Sequence, residues 1–160
     1  MIIKRIRVNN KKRSFEIDTK KGNFSLPFSR LRLVPTKENR VKEIYVDREV
    51  ANRGITYVLD SGEEDTIHID AFLDYNRDPD FMRKLTLFKL TVKANEIIKE
   101  SKLAKREISR KLRTSPSQLY RLLDTANYKK TIDQMVKLLS ALNYQIDIRV
   151  KPEPRPKSAA

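Results

Sequence analysis

The first half of the chain alternates apolar and polar residues with the two-residue period of β-strands. Short alternating runs occupy residues 2–8, 14–18, 41–46, 55–59 and 66–70. Because successive side chains of a strand point to opposite faces, each run predicts a half-buried strand. Residues 9–13 form a polar turn between the first two runs, and Gly62 supplies a residue that tolerates positive φ between the last two. The pattern predicts a small β-rich domain over residues 1–76.

The second half repeats its apolar residues at the spacing of a helix. Turn-forming residues lie just before it, and Pro79 suits the first turn of a helix that should continue to about Ser101. We therefore place a domain boundary at this point, with a second domain over residues 77–150. Residues 151–160 contain three prolines and few apolar side chains, which predicts a disordered tail.

Two short helices joined by a tight turn are predicted between Lys105 and Asp124. Ser109 is small at the point where the second helix would cross the first closely. Ser115 suits the N-cap of the second helix, and Pro116 suits its first helical position. This arrangement matches the geometry that inserts a helix into the major groove of DNA. The alternative is an ordinary helical hairpin.

On these residues the segment resembles the lambda-repressor-like helix-turn-helix domain of the Cro/CI and xenobiotic-response-element type. The resemblance covers residues 85–150, with Ser109 at the family's small position and Leu119 at its branched apolar position. It implies an α+β chain in which the small β-rich N-terminal domain precedes an all-α DNA-binding domain. Residues 145–150 resemble the end of antitoxins of the HigA type, so a short C-terminal strand is expected. A β domain before such a motif also resembles bacterial proteins of unassigned function.

The resemblance also implies which side chains read the bases of DNA. The family's groove-facing positions correspond to Ser115, Pro116, Ser117, Tyr120 and Arg121. Two positions depart from the family pattern. Arg113 stands at the turn where glycine is usual, so it must adopt a left-handed conformation or widen the turn. Pro116 stands where many members carry a DNA-contacting glutamine and has no side-chain donor, so the recognised base sequence cannot be copied from the family.

Positive charge is concentrated in the second half of the chain. The whole sequence carries a formal net charge of +14. Residues 1–80 contain 16 basic and 14 acidic residues, whereas residues 81–160 contain 19 basic and 7 acidic residues. A surface that faces a polyanion is therefore expected mainly in the second half. The alternative is the solvated, charge-rich surface of a thermophilic protein, which would be expected to balance its signs.

Two groups of basic residues are predicted to contact phosphates. Arg106, Arg110 and Arg113 are spaced i, i+4 and i+7, which would put them on one face of the first short helix. Lys129 and Lys130 lie in the loop after the second helix, where the family that the segment resembles meets the DNA backbone. Such contacts position a protein without reading sequence. The alternative is that these are solvated charges.

Signals for other chemistry are few. The absence of cysteine excludes disulfides, a thiol nucleophile and cysteine-based zinc sites. The three glycines are too far apart for a familiar phosphate-binding loop. His68 alternates with apolar residues in a predicted strand, so a structural or surface role is expected, and the acidic residues nearby are better explained as hairpin charges than as a magnesium site. We expect no enzymatic activity, no cofactor and no metal.

These features predict a sequence-specific DNA-binding protein, either a transcriptional regulator or an antitoxin-type autorepressor. Double-stranded DNA is the expected partner, and a homodimer is expected because one recognition helix buries too little surface for tight specific binding. A toxin would be a further partner. The chain has no stretch of about 18 apolar residues and no signal-peptide pattern at its start, so a cytoplasmic protein is expected. The competing interpretation is a protein-interaction or RNA-binding module with a structural helical domain.

Overall fold

The computed structural model describes residues 1–101 and 103–152. The described chain forms two compact units, residues 1–81 and residues 82–152. Each unit has its own hydrophobic core. They are called unit 1 and unit 2 below.

Unit 1 contains two three-stranded antiparallel sheets. The first sheet has the order β1 (Ile3–Asn9), β2 (Ser14–Thr19) and β3 (Gly22–Pro27), and the second has the order β4 (Val41–Asp47), β5 (Gly54–Leu59) and β6 (Glu64–His68). The central strands supply much of the core, because Phe15 and Ile17 of β2 and Ile55, Tyr57 and Leu59 of β5 are fully buried. Strands are present at all five places where alternation predicted them, but the fifth ends at His68, and residues 69 and 70 begin a helix. Strand β3 was not predicted.

One α-helix of unit 1 follows the last strand directly. Helix α1 (Ile69–Tyr75) begins after His68, whose imidazole accepts a hydrogen bond from the backbone N–H of Asp70 at 3.3 Å. Phe72 and Leu73 of α1 are buried in the core of unit 1. His68 therefore has a structural role as the N-cap of α1, where its side chain satisfies one of the free N–H groups of the first turn.

Unit 2 is formed by the larger part of helix α2 (Pro79–Glu100) and by three shorter helices. These are α3 (Lys105–Lys111), α4 (Pro116–Leu123) and α5 (Ile132–Ala141). Their core joins Leu87 and Ala94 of α2, Ile108 of α3, Leu119 of α4 and Met135 of α5, all of which are buried. Helix α5 begins with a capping box, in which Thr131 and Gln134 exchange side-chain to backbone hydrogen bonds.

The predicted fold class is wrong in two respects. Residues 145–150 form no strand, and they have no regular secondary structure. The helices do not make up a separate all-α domain either, because α1 belongs to unit 1 and α2 begins within it. The described chain is α+β, with two three-stranded antiparallel sheets followed by five α-helices.

The missing strand has a physical reason. Alternation shows which side chains share a face, but a strand also needs a neighbour for its backbone hydrogen bonds. Within residues 82–152, leaving aside the undescribed residue 102, no second strand is present to pair with residues 145–150. The predicted disordered tail, residues 151–160, lies outside the described residues from residue 153 onwards.

Candidate nucleic-acid interface

The turn between α3 and α4 is closed by two backbone hydrogen bonds. The N–H of Arg113 donates to the carbonyl of Arg110 at 3.0 Å, and the N–H of Thr114 donates to the carbonyl of Ser109 at 3.0 Å. Many helices end with this pair of hydrogen bonds, and the residue that follows the last helical turn is then left-handed and usually glycine. Arg113 takes that place with φ of 51°. The turn therefore keeps its tight form, and Arg113 adopts the left-handed conformation.

Helix α4 begins at the residues expected from its sequence. The hydroxyl of Ser115 accepts the N–H of Gln118 at 3.2 Å, and Pro116 occupies the first helical turn. The hydroxyls of Ser115 and Ser117 lie 2.9 Å apart. Two small polar side chains are thus brought together at the N-terminus of α4, where the free N–H groups and the helix dipole attract negative charge.

Leu119 fixes which side of α4 faces outward. Its side chain is fully buried in the core of unit 2, so the remaining side chains of the helix are oriented around it. The five residues predicted to read bases are all exposed: Ser115, Pro116, Ser117, Tyr120 and Arg121. The structure therefore places them at the start and on the solvent side of one short helix.

A lysine of α3 lies over the exposed tyrosine of α4. The ammonium group of Lys105 is 4.7 Å from the centroid of the Tyr120 ring, within the range of a cation–π contact. The Tyr120 side chain is nevertheless 55% exposed. Sequence spacing gave no signal for Lys105, because the contact joins two helices and is set by their crossing. Lys105 adds a positive charge beside the proposed base-reading side chains.

The three arginines predicted to share one helix face do not all lie on a helix. Arg106 and Arg110 are in α3 and are exposed, whereas Arg113 lies beyond the end of α3 in the turn. Arg113 is also exposed, but its position is set by the left-handed turn and not by the i+7 spacing of a helix. Among the described residues, no carboxylate pairs with any of these three guanidinium groups.

Three basic residues of unit 1 are paired with carboxylates. The guanidinium of Arg7 pairs with Asp18 at 3.1 Å, and that of Arg32 pairs with Asp65 at 2.8 Å. Lys21 pairs with Asp80 in the same way. The unpaired guanidinium groups of unit 2 are thus available to an anion, while these groups of unit 1 already have one.

Lys130 does not lie where the sequence suggested. Its side chain is only 4% exposed, and its ammonium donates to the carbonyl oxygens of Leu122 at 2.8 Å and Asp124 at 2.6 Å. Burial lowers the pKa of the Lys130 ammonium, and the nearby Asp124 carboxylate opposes that shift. A buried ammonium bound to two carbonyls is not free to contact phosphate. Lys130 is therefore removed from the predicted phosphate-contacting group.

Side chains satisfy four successive carbonyls at the C-terminus of α4. Besides the two carbonyls bound by Lys130, that of Arg121 accepts the amide of Asn127 at 2.9 Å, and that of Leu123 accepts the amide of Asn95 at 2.9 Å. The last carbonyls of a helix have no partner within it, and a cation there also interacts favourably with the helix dipole. Helix α4 is held in place from α2 and from the loop that follows it.

An open groove lies beside the last turn of α4. Its volume is about 540 Å³, and Gln118, Arg121, Asn127, Lys129 and Gln134 contribute to its lining. Lys129 is exposed, and its backbone N–H donates to the side chain of Asn127 at 3.1 Å. The structure therefore brings Arg121, predicted to read bases, and Lys129, predicted to contact phosphate, to the same groove.

Two further properties of the described residues bear on function. Among residues 1–101 and 103–152, no group of three or more histidine, aspartate or glutamate side chains is placed to hold a metal ion. None of the helices in the described part of the chain has the length and apolar character needed to cross a membrane.

Comparison with known proteins gives no relative from which a function could be transferred. No protein-family model matches the chain, and no curated protein or solved structure matches it at a significant level. We therefore infer a function from the geometry and charge of α3, α4 and the loop after them.

Proposed function

We propose that unit 2 binds double-stranded DNA, with α4 entering the major groove, and that the protein is a sequence-specific transcriptional regulator. One observation supports this above the others. The exposed side of α4 carries small polar and aromatic side chains, and exposed guanidinium groups without a described carboxylate partner lie in the preceding helix and turn. A helix that reads base edges between positively charged neighbours is the common arrangement of helix-turn-helix proteins.

We assign the reading of bases to the exposed side of α4. Arg121 can donate two parallel hydrogen bonds to O6 and N7 of a guanine, the commonest specific contact in the major groove. Ser117 is short enough to let the helix approach base edges, and its hydroxyl both donates and accepts. Tyr120, held beside Lys105, presents a ring edge and a hydroxyl to the groove wall. Pro116 contributes an apolar surface and no hydrogen bond.

We assign the phosphate contacts to four basic residues, Arg106, Arg110, Arg113 and Lys129. All four are exposed, and none has a described carboxylate partner. Their charges would displace counterions from DNA and fix the orientation of α4, without contributing to the choice of sequence. Lys130 supports them indirectly, because it fixes the C-terminus of the helix they surround.

A dimer is part of this proposal. One short helix contacts few base pairs, whereas two copies related by a two-fold axis would read two half-sites about 34 Å apart.

As a regulator the chain would act in the cytoplasm. A narrower form of the proposal is an antitoxin that represses its own operon. It would add a toxin as partner, and a toxin gene in the neighbouring reading frame would support it.

The direct test measures the binding of the full chain to labelled duplexes by fluorescence anisotropy. We expect a random DNA duplex to bind, and a duplex selected from genomic fragments in the presence of competitor DNA to bind at least about a hundredfold tighter. The matched control is an RNA duplex of the same sequence, whose deep and narrow major groove does not admit a helix. Equal affinity for selected and random DNA, or stronger binding to RNA, would overturn the proposal.

A further inference from the structure

The groove beside the last turn of α4 has the size of a small-molecule site. Its volume of about 540 Å³ falls within the range of about 300–1,000 Å³ that is usual for such sites. Arg121 of α4, Lys129 of the following loop and Gln134 of α5 contribute to its lining. Small-molecule sites are mostly lined by apolar side chains, whereas Leu122 is the one apolar residue among the described residues of this lining. The groove is therefore suited to a polar or charged ligand.

Positive charge dominates this lining. Its described basic residues are Arg121, Lys129 and Lys130, and its described acidic residue is Asp124. The guanidinium of Arg121 and the ammonium of Lys129 are exposed, and neither pairs with a carboxylate of the described chain. The carboxylate of Asp124 already accepts the backbone N–H of Ala126 at 2.9 Å. The groove therefore attracts an anion and offers it the side chains of Arg121 and Lys129.

Gln134 adds a hydrogen-bond donor to the groove. Its side-chain oxygen accepts the backbone N–H of Thr131 at 2.9 Å in the capping box of α5, and its amide NH₂ has no partner among the described residues. Gln134 also lies in the first turn of α5, where backbone N–H groups and the helix dipole favour negative charge. Together with Arg121 and Lys129 it gives the groove three donating side chains. The complementary ligand carries several acceptor oxygens.

We propose that this groove binds a small phosphorylated molecule, and that the bound molecule keeps DNA away from α4. An ionised phosphate group carries about 1.5–2 negative charges and three acceptor oxygens. Arg121 can donate two parallel N–H groups to such a phosphate, while Lys129 adds a point charge. A carboxylate brings one charge and two oxygens, which leaves part of this donor set unused. The donors therefore favour phosphate over carboxylate.

The effect on DNA rests on the proposed function. We assign a base contact to Arg121 and a phosphate contact to Lys129, so a ligand that engages both would compete directly with DNA. Binding of the ligand does not rest on that proposal, because it can be measured without DNA. The phosphates of DNA have the same chemistry as the ligand, and a titration without DNA separates these two sources.

Isothermal titration of the full chain with inorganic pyrophosphate measures binding without DNA. The ionic strength is held constant with chloride, so that general screening of charge does not change during the titration. We expect saturable binding of one pyrophosphate per chain. Acetate is the control ligand, and it should bind at least about tenfold more weakly because it satisfies fewer donors.

Gln134→Glu tests the location of the site. Glutamate keeps an oxygen for the N–H of Thr131, because glutamate and glutamine both serve at this position of a capping box. It replaces the NH₂ donor by a negative charge, so the dissociation constant of pyrophosphate should rise about tenfold or more. Gln145→Glu is the matched control, because it makes the same change in net charge at an exposed residue outside the described lining of the groove. Thermal melts verify that both variants are folded.

Competition tests the effect on DNA. At a pyrophosphate concentration about ten times its dissociation constant, the apparent dissociation constant of a random duplex should rise about elevenfold for the natural chain. At the same concentration it should rise only about twofold for Gln134→Glu, and again about elevenfold for Gln145→Glu. Fluorescence anisotropy at constant ionic strength measures these ratios.

Saturable binding that is weakened in Gln134→Glu and kept in Gln145→Glu, together with this competition, supports the proposal. A chain that binds DNA but not free pyrophosphate would overturn it and leave the proposed function intact, because the groove would then serve DNA alone. Acetate binding as tight as that of pyrophosphate, equal losses in the two variants, or a DNA affinity unchanged by bound pyrophosphate would each overturn it as well. A chain that binds pyrophosphate but no DNA would overturn the proposed function and the competition, and the ligand site would stand.

Discussion

The ammonium nitrogen of Lys130 lies 2.8 Å from the carbonyl oxygen of Leu122, in the last turn of α4. This contact joins the loop after α4 to the helix that we propose enters the DNA groove. The same ammonium also binds the carbonyl of Asp124, so one buried cation contacts two of the four carbonyls that side chains satisfy at the end of the helix. The orientation of the exposed side of α4 thus depends on a residue that does not itself face DNA.

Replacement of Lys130 by methionine should destabilise the fold of unit 2. The variant removes the buried ammonium that binds the carbonyls of Leu122 and Asp124, so we expect the free energy of unfolding to fall by about 2 kcal/mol. Lys129→Met is the matched control, because Lys129 is adjacent and exposed, and its ammonium binds no carbonyl among the residues that the structure describes. Urea denaturation measures both. A similar loss of stability in the two variants would show that Lys130 has no special role.

Replacement of Arg113 by glycine should separate stability from binding. Glycine adopts positive φ without strain, so the free energy of unfolding should rise by about 0.5–1 kcal/mol. DNA affinity should fall nevertheless, because a phosphate contact is lost. Asn143→Gly is the control, since Asn143 lies in the turn just after α5 with φ of 64° and carries no charge. If Arg113→Gly binds DNA as tightly as the natural protein, Arg113 does not contact phosphate.

The buried hydroxyl of Tyr57 should make the stability of unit 1 depend on pH. Its hydroxyl donates to the carbonyl of Leu33 within the core, and burial raises the pKa of Tyr57 to about 12 from an ordinary value of 10.0. The unfolded chain therefore loses this proton first. The stabilising contribution of the buried phenol is complete below about pH 10 and is lost as the pH rises towards 12. Denaturation across this range should show a steeper loss for the natural protein than for Tyr57→Phe, and parallel curves would contradict the prediction.

Arg121 and Lys129 should differ in their effect on specificity although they line the same groove. Arg121→Ala should cost about 1–3 kcal/mol on a selected duplex and little on random DNA, because it removes a base contact. Lys129→Ala should weaken both by a similar factor, because a phosphate contact carries no sequence information. Anisotropy titrations of both variants on both duplexes give the two ratios. A lower ratio for Lys129→Ala alone would reverse the assignment of the two residues.

The sequence predicted local structure well where local rules decide it. Alternation identified five strands, and Ser115 with Pro116 identified the start of α4. Helix α1 was not predicted, because the apolar and polar residues of β6 continue to alternate through Ile69, whereas His68 caps a helix there. Strand β3 was not predicted, because its apolar alternation is limited to Phe24 and Leu26 and it lies between a glycine and a proline, which are typical of turns.

The candidate site was predictable only in part, because tertiary contacts decide the rest. Lys129 and Lys130 are adjacent in a polar loop, and no sequence rule shows that one is exposed while the other binds carbonyls in the interior. The contact of Lys105 with Tyr120 likewise depends on how α3 crosses α4. Residues 145–150 have the pattern of a strand, but a pattern cannot supply the partner that a strand needs.

The slope of log affinity against log salt concentration tests the central claim most directly. Each phosphate contact contributes about 0.9 to this slope on duplex DNA. The variant is Arg106→Ala with Arg110→Ala. The control is Lys93→Ala with Lys137→Ala, which removes the same charge from residues of unit 2 that already pair with Glu96 at 3.3 Å and Asp133 at 2.9 Å. On a random duplex the slope of the arginine variant should be shallower than that of the control by about 1.8. Equal slopes for the two variants would contradict a DNA-binding surface on α3 and α4.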